Sequence, residues 1–223
     1  MTAQSVFERR VVETFSALKS GRFGSTVLSG NSRDGVAVEL LPFTQDRIED
    51  ADTIRLLSEW RKAGISGFTK VFPVTEAGTR SWSRAQLIER RDRILFLLRR
   101  PGGPLVGHVG LSSFDFGQGT GEVDNIVRGA QDAPKGIMQA ALEVLLDWSY
   151  RSLGLNEVRL RTLHDNSRAL ALYHRLNFVP FELHPLKRTE TDDIVEWIPA
   201  DRGDHIDRFM IAMRHARVAS AGR

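Results

Sequence analysis

The chain of 223 residues contains no cysteine. A disulfide framework, a thiolate zinc site and a cysteine nucleophile are thereby excluded together. Its six histidines fall at no metal-ligand spacing, so no metal site is expected. No Gly-x-Ser-x-Gly elbow occurs, which leaves a Ser/His/Asp hydrolase of that kind without support. No window approaches the roughly 20 consecutive apolar residues that a membrane span takes. Near the start, Glu8, Arg9, Arg10, Glu13 and Lys19 interrupt the apolar residues, unlike a secretion signal. A cytoplasmic protein with no membrane partner is the expectation. An excess of one charge is missing too: 31 Lys plus Arg against 28 Asp plus Glu leaves +3. The basic residues are interleaved with acidic ones, so nucleic acid is not expected as a partner.

What is present is a chain with 41% apolar residues, enough for one sizeable domain with extensions. Val6, Val11, Val12, Phe15 and Leu18 have helical spacing, and the Gly- and Ser-containing stretch after them reads as linker. Residues 1–34 are therefore expected to be an N-terminal helical extension, with the main domain over 35–216 and a tail at 217–223. Val36 to Leu41 reads as a strand ending at Pro42, followed by a helix through Ile54, Leu57 and Trp60. Gly64 to Thr79 reads as a long loop, and a second helix closes at Leu87 to Arg91. The period then becomes extended. Arg93 to Arg99 and Leu105 to Phe114, joined by Pro101-Gly102-Gly103, form a hairpin, and Glu122 to Val127 a third strand. A helix follows from Ile137 to Trp148, stopped by Gly154, then a strand through Val158, Leu160 and Thr162, and a shorter helix from Asn166 to Leu176. Phe178 to Leu183 and Phe209 to Met213 are the closing strands, with an insert over 184–207. The fold expected is α/β (α+β), a mixed, mostly antiparallel sheet flanked by helices.

Two constellations carry chemistry. In the first, Val127 and Arg128 lead through a loop to Lys135, Gly136, Ile137 and Met138 at the head of a helix. Free N–H groups of a first helical turn and the positive end of the helix dipole meet there, which suits phosphate. An ordinary basic turn has the same composition. In the second, Asn166 and Tyr173 are seven residues apart, two helical turns, and can face one cleft. Asn166 also stands where an N-cap belongs. The Tyr173 phenol can donate a proton to a departing thiolate, or be a core tyrosine. Glu122 and Asp124 lie two apart on one strand face that Ile126 continues, and either could take a proton from an amine.

A strand, an Arg/Lys-Gly loop, a helix, a strand and then Asn-x-x-Ala-x-x-x-Tyr-x-x-x-x-Phe resemble the GNAT acetyltransferases. The resemblance runs from Val36 to Phe178 and includes the last strand. It implies acetyl-CoA as cofactor. The backbone of Asn125, Ile126 and Val127 would pair with the pantetheine arm, and the loop from Arg128 through Lys135, Gly136 and Ile137 to Met138 would hold the pyrophosphate. Asn166 would contact the pantetheine, with Arg168 beside it, and Tyr173 would protonate the thiolate, with Glu122 or Asp124 as base. Two positions depart from the family pattern. Met138 occupies a place where the family favours a small residue, so either the loop is displaced or the side chain points away. Asn177 replaces the usual glycine before Phe178.

The acceptor pocket is expected from Gly64 to Trp82 and Lys187 to Ile206, where aromatic and charged residues mix. Phe68, Trp82, His108, His164 and Trp197 are the candidate acceptor-binding residues, although a lone histidine in an apolar strand, such as His108, is more often a hydrogen-bonded core residue. A small-molecule amine such as a nucleotide-linked amino sugar is the expected acceptor. A protein or peptide amine, or a non-catalytic CoA-binding protein, stay open as alternatives. An exposed final strand would leave room for a homodimer.

Overall fold

Strand β4 (Ile94–Arg99) has no polar alternation because both of its faces are covered. Ile94, Phe96 and Leu98 enter one apolar cluster and Leu95 and Leu97 another. A computed structural model describes residues 5–216. In chain order the other elements are α1 (Val6–Ser20), β1 (Leu28–Asn31), β2 (Ala37–Pro42), α2 (Ala51–Ala63), β3 (Lys70–Val71) and α3 (Glu76–Trp82). After β4 come β5 (Leu105–Asp115), β6 (Thr120–Arg128), α4 (Ile137–Trp148), β7 (Glu157–Leu163) and α5 (Ser167–Arg175). Strands β8 (Val179–Thr191), β9 (Ile194–Pro199) and β10 (Arg208–Ala216) complete the chain.

The strands form one sheet in the order β1-β2-β4-β5-β6-β7-β10-β8-β9-β3. Only β6 and β7 are parallel, so the mixed, mostly antiparallel architecture expected from the pattern is the one adopted. Helices α1 and α4 cover the first face, where Val11, Phe15, Leu142 and Leu145 join Ile94 and Phe96. Leu57 and Trp60 of α2 and Leu87 cover the second with Leu95 and Leu97. Among the described residues no helix is long and apolar enough to cross a membrane.

Several elements differ from expectation. The N-terminal helix is part of the core, since Val11 and Phe15 are fully buried. The stretch read as linker contains β1, which pairs with β2 from Leu28↔Leu40 to Asn31↔Ala37. The last strand is no sheet edge: β7 and β8 flank β10 on both sides, which removes the edge on which the homodimer expectation rested. The insert over 184–207 is the far part of a long hairpin, β8–β9. It pairs with β3 through Lys70↔Glu196 and Val71↔Val195, so the two segments read as loops hold one another. The tail at 217–223 lies outside the described residues.

Candidate active site

Two local irregularities open a cleft in the middle of the sheet. The parallel ladder between β6 and β7 runs only from Thr120↔Glu157 to Glu122↔Arg159. Beyond Glu122, β6 continues to Arg128 and β7 to Leu163 without pairing to each other. Backbone groups along those facing edges are left for another partner. A bulge then shifts the register between β5 and β6: His108 faces Val127 and Gly110 faces Asp124. Val109 therefore stands opposite two residues, and Asn125 takes φ 48°, a left-handed conformation that Asn tolerates. The bulge reverses the alternation. Asp124 Oδ1 lies against Gly110, on the side to which Leu95 also points, whereas Ile126 packs on the opposite, α4-covered face. The expectation that Ile126 continues the face of Glu122 and Asp124 is corrected by that one extra residue.

The cleft has a volume of about 790 Å3 and is lined by Asn125, Ile126, Val127 and the loop from Pro134 to Gln139. At the head of α4, Gly136 has φ 86° and no side chain caps the helix. The first-turn N–H groups of Met138 and Gln139 have no acceptor further back in the helix, and both residues line the cleft. Met138 itself is buried in the main core; its side chain points inward and its backbone faces the cleft, so the bulky residue does not fill the loop. Arg128 is spent differently from expectation. Its guanidinium donates to the carbonyls of Gln131 (3.0 Å) and Ala133 (2.6 Å), shaping the loop from within. The loop lies tight on α2: a Cβ at Gly129 would stand 2.1 Å from the Trp60 ring, so only glycine fits there. Lys135, Arg168 and Arg175 also line the cleft. None of the three has a carboxylate partner among the described residues. Arg175 was not among the expected residues; its place two helical turns after Arg168 was the available signal.

Opposite the loop stands α5. The Asn166 side chain caps it, accepting from the Ala169 N–H at 3.2 Å, while its amide nitrogen faces Gly67. Tyr173 is 5% exposed. Its hydroxyl has no hydrogen-bond partner among the described residues, and Tyr173 lines the cleft with Asn166 and Arg168. Burial pushes its phenol well above the usual range, so it carries its proton at neutral pH. Asn177, just past α5, has φ 63°, the left-handed turn that its identity permits.

On the other side of the bulge, each carboxylate meets an arginine. Glu122 accepts two bonds from Arg161, at 3.1 and 2.9 Å. Asp124 accepts through Oδ2 from Arg93 (2.5 Å) and Ser112 (2.8 Å). Its Oδ1 is buried with no donor.

The five expected acceptor residues divide. Phe68 lines both the cleft and a side pocket of about 180 Å3, and Trp82 lines the side pocket. His108 lines neither. It is 2% exposed, its Nδ1 donates to the Asn125 carbonyl at 2.7 Å, and burial holds its pKa down at about 4. It is a neutral residue that pins the bulge. His164 is exposed and accepts through Nδ1 from the Phe209 N–H at 3.1 Å, away from both cavities. Trp197 faces Arg208, whose guanidinium lies 4.6 Å from its ring centre. None of these three lines the cleft or the side pocket.

Comparison with known proteins follows the same geometry. A family model described as the acetyltransferase (GNAT) domain matches residues 38–179. Among solved structures, a spermidine N-acetyltransferase from Vibrio cholerae in complex with CoA and spermine superposes with a TM-score of 0.61. It is 15% identical, over 80% of this chain and 95% of that one. The ribosomal L7/L12 alpha-N-protein acetyltransferase RimL gives a TM-score of 0.60 at 13% identity, over 88% of this chain and 98% of that one. A probable GNAT-family acetyltransferase from Chromobacterium violaceum gives 0.60 at 16% identity, over 88% and 94%. These likenesses concern the fold. Comparison with curated proteins gives no match.

Proposed function

Since the chain belongs to the GNAT acetyltransferase family, with acetyl-CoA as donor and N-acetyl transfer as reaction, we propose that its acceptor is the primary amine of a small molecule, of the class of nucleotide-linked amino sugars. The observation that carries the transfer reading is the unpaired stretch of β6 and β7, lined by a cationic helix head and faced by the Tyr173 hydroxyl, which has no partner among the described residues. The residues present fit the cofactor. The free edge of Asn125 to Val127 suits the pantetheine amides, and Asn166 faces the same opening. The first turn of α4, with Lys135, Arg168 and Arg175, suits the phosphates.

Acetyl-CoA supplies a thioester carbonyl on which the amine forms a C–N bond while the C–S bond breaks, giving the acetamide and the CoA thiol. Tyr173 gives its proton to the departing sulfur, a role for which a phenol kept protonated by burial is suited. Asp124, oriented by Arg93 and Ser112 at the cleft wall, takes the amine's proton. The net transfer of that proton restores Tyr173. The acceptor side supports an amine without further positive charge: Arg90, Arg93 and Arg161 line it, and both of its carboxylates are already engaged by arginine. A polyamine would find no free carboxylate there. A peptide amine is the second reading, favoured by the protein-acetylating structure among the matches.

Steady-state thiol release and calorimetry on Tyr173→Phe and Asp124→Asn test the assignment. Each variant should lose roughly a hundredfold in kcat and keep its acetyl-CoA affinity within about twofold, since neither touches the phosphate-binding loop. Unchanged kcat in either removes that residue from the mechanism.

A further inference from the structure

Arg61 stands in the last turn of α2 at the wall of the 180 Å3 side pocket. Its guanidinium carbon lies 4.3 Å from the centre of the Trp82 ring and 5.6 Å from that of Phe72. The group is half-buried, and it has neither a carboxylate partner nor a hydrogen-bond acceptor among the described residues. This sets it apart from its neighbours. Lys70 is tied to Glu196 at 3.1 Å and Arg93 to Asp124 at 2.5 Å, and no acidic residue lines the pocket. A guanidinium stacked on rings keeps its in-plane N–H donors directed sideways, open to whatever occupies the pocket. The missing counter-charge belongs to something that enters. The pocket shares Phe68, Arg93 and Asn125 with the main cleft, so a group seated on Arg61 is continuous with the bulge beside which the amine reacts.

We propose that Arg61 is the specificity-determining anchor for an anionic group, phosphate or carboxylate, carried by the acceptor. This rests on the acetyl-transfer reading and deepens it: the acceptor is an amine bearing negative charge. Two oxygens of a carboxylate or phosphate match the guanidinium fork in two parallel bonds, and the Trp82 and Phe72 rings hold that fork in place.

The test is calorimetry on wild type, Arg61→Met and Arg61→Lys, each saturated with CoA so that the phosphate loop is filled. Uridine diphosphate probes the phosphate source and succinate the carboxylate source. One of them is expected to bind wild type, to weaken at least tenfold in Arg61→Met and to weaken about threefold or more in Arg61→Lys, where the charge stays and the fork is lost. In thiol-release assays the preference for a phosphorylated or carboxylated amine over its uncharged counterpart should collapse in Arg61→Met through KM. If Arg61→Met does not fold, Arg61→Lys decides alone. No binding of either probe to CoA-loaded wild type, or equal affinity in wild type and the folded variants, overturns the proposal. Acetyl-CoA binding with no amine acetylated would instead overturn the transfer reading, and the probe titration would still decide Arg61.

Discussion

His108 shows how a titratable side chain among apolar strand residues comes to serve structure. Its ring is buried beneath α2, 6.0 Å from the Trp60 ring, and donates to the carbonyl of the bulge residue Asn125. Its folded pKa of about 4 lies below the ordinary 6.5. From pH 6.5 downward the unfolded chain therefore takes up a proton that the folded chain refuses until about pH 4. Stability falls across that window, by about 3 kcal/mol from this group alone. Urea melts of wild type and His108→Gln between pH 4 and 7 should show the variant less stable at pH 7 and flatter in its pH dependence. Equal slopes would place the lost stability elsewhere. A lone histidine in an apolar strand favours a core role on sequence grounds alone, but that α2 covers it follows only from the fold. Tyr173 and Asn166 were legible because seven-residue spacing on a helix fixes a common face whatever surrounds it.

At the scale of elements, what could be read in advance followed local period. The hairpin β4–β5, the strand β6, the helix α4 with its glycine stop and the pair β7–α5 were all visible that way. The bulge at Asn125 was not, since no local signal distinguishes it from regular alternation, and it moves Ile126 to the other face. Nor was the pairing of β3 with β9, which joins residues more than a hundred positions apart. Its consequence is specific. The hairpin tip places no expected side chain in either cavity, yet it holds Thr69, whose carbonyl accepts from the Trp197 N–H at 2.8 Å, next to Phe68 at the acceptor wall. Replacing residues 189–196 by a two-residue turn should raise KM for the acceptor severalfold and leave the acetyl-CoA affinity within about twofold, because the phosphate loop lies on α4. An unchanged KM in kinetic assays would detach the hairpin from acceptor binding.

At the scale of the whole molecule, the N-terminal helix and the catalytic sheet are one body. Phe15 is fully buried and its ring stacks 6.3 Å from Trp148 of α4, the helix whose head forms the phosphate loop. Phe15→Ala should cost about 3–5 kcal/mol, which calorimetric melting would register as a fall of roughly 6–20 °C at about 2–4 °C per kcal/mol. A smaller shift would mean that residues 1–34 are a separable extension after all. The same body brings Lys135, Arg168, Arg175 and Asp124 to the walls of one cleft, and on that arrangement the functional account depends. The most direct measurement is thiol release from saturating acetyl-CoA with a nucleotide-linked amino sugar, an acidic peptide and spermidine offered in turn to wild type. Release with the amino sugar, at a rate well above that with either of the others, is the predicted result. Release with spermidine or the peptide alone, or none from a protein that binds acetyl-CoA, would contradict it.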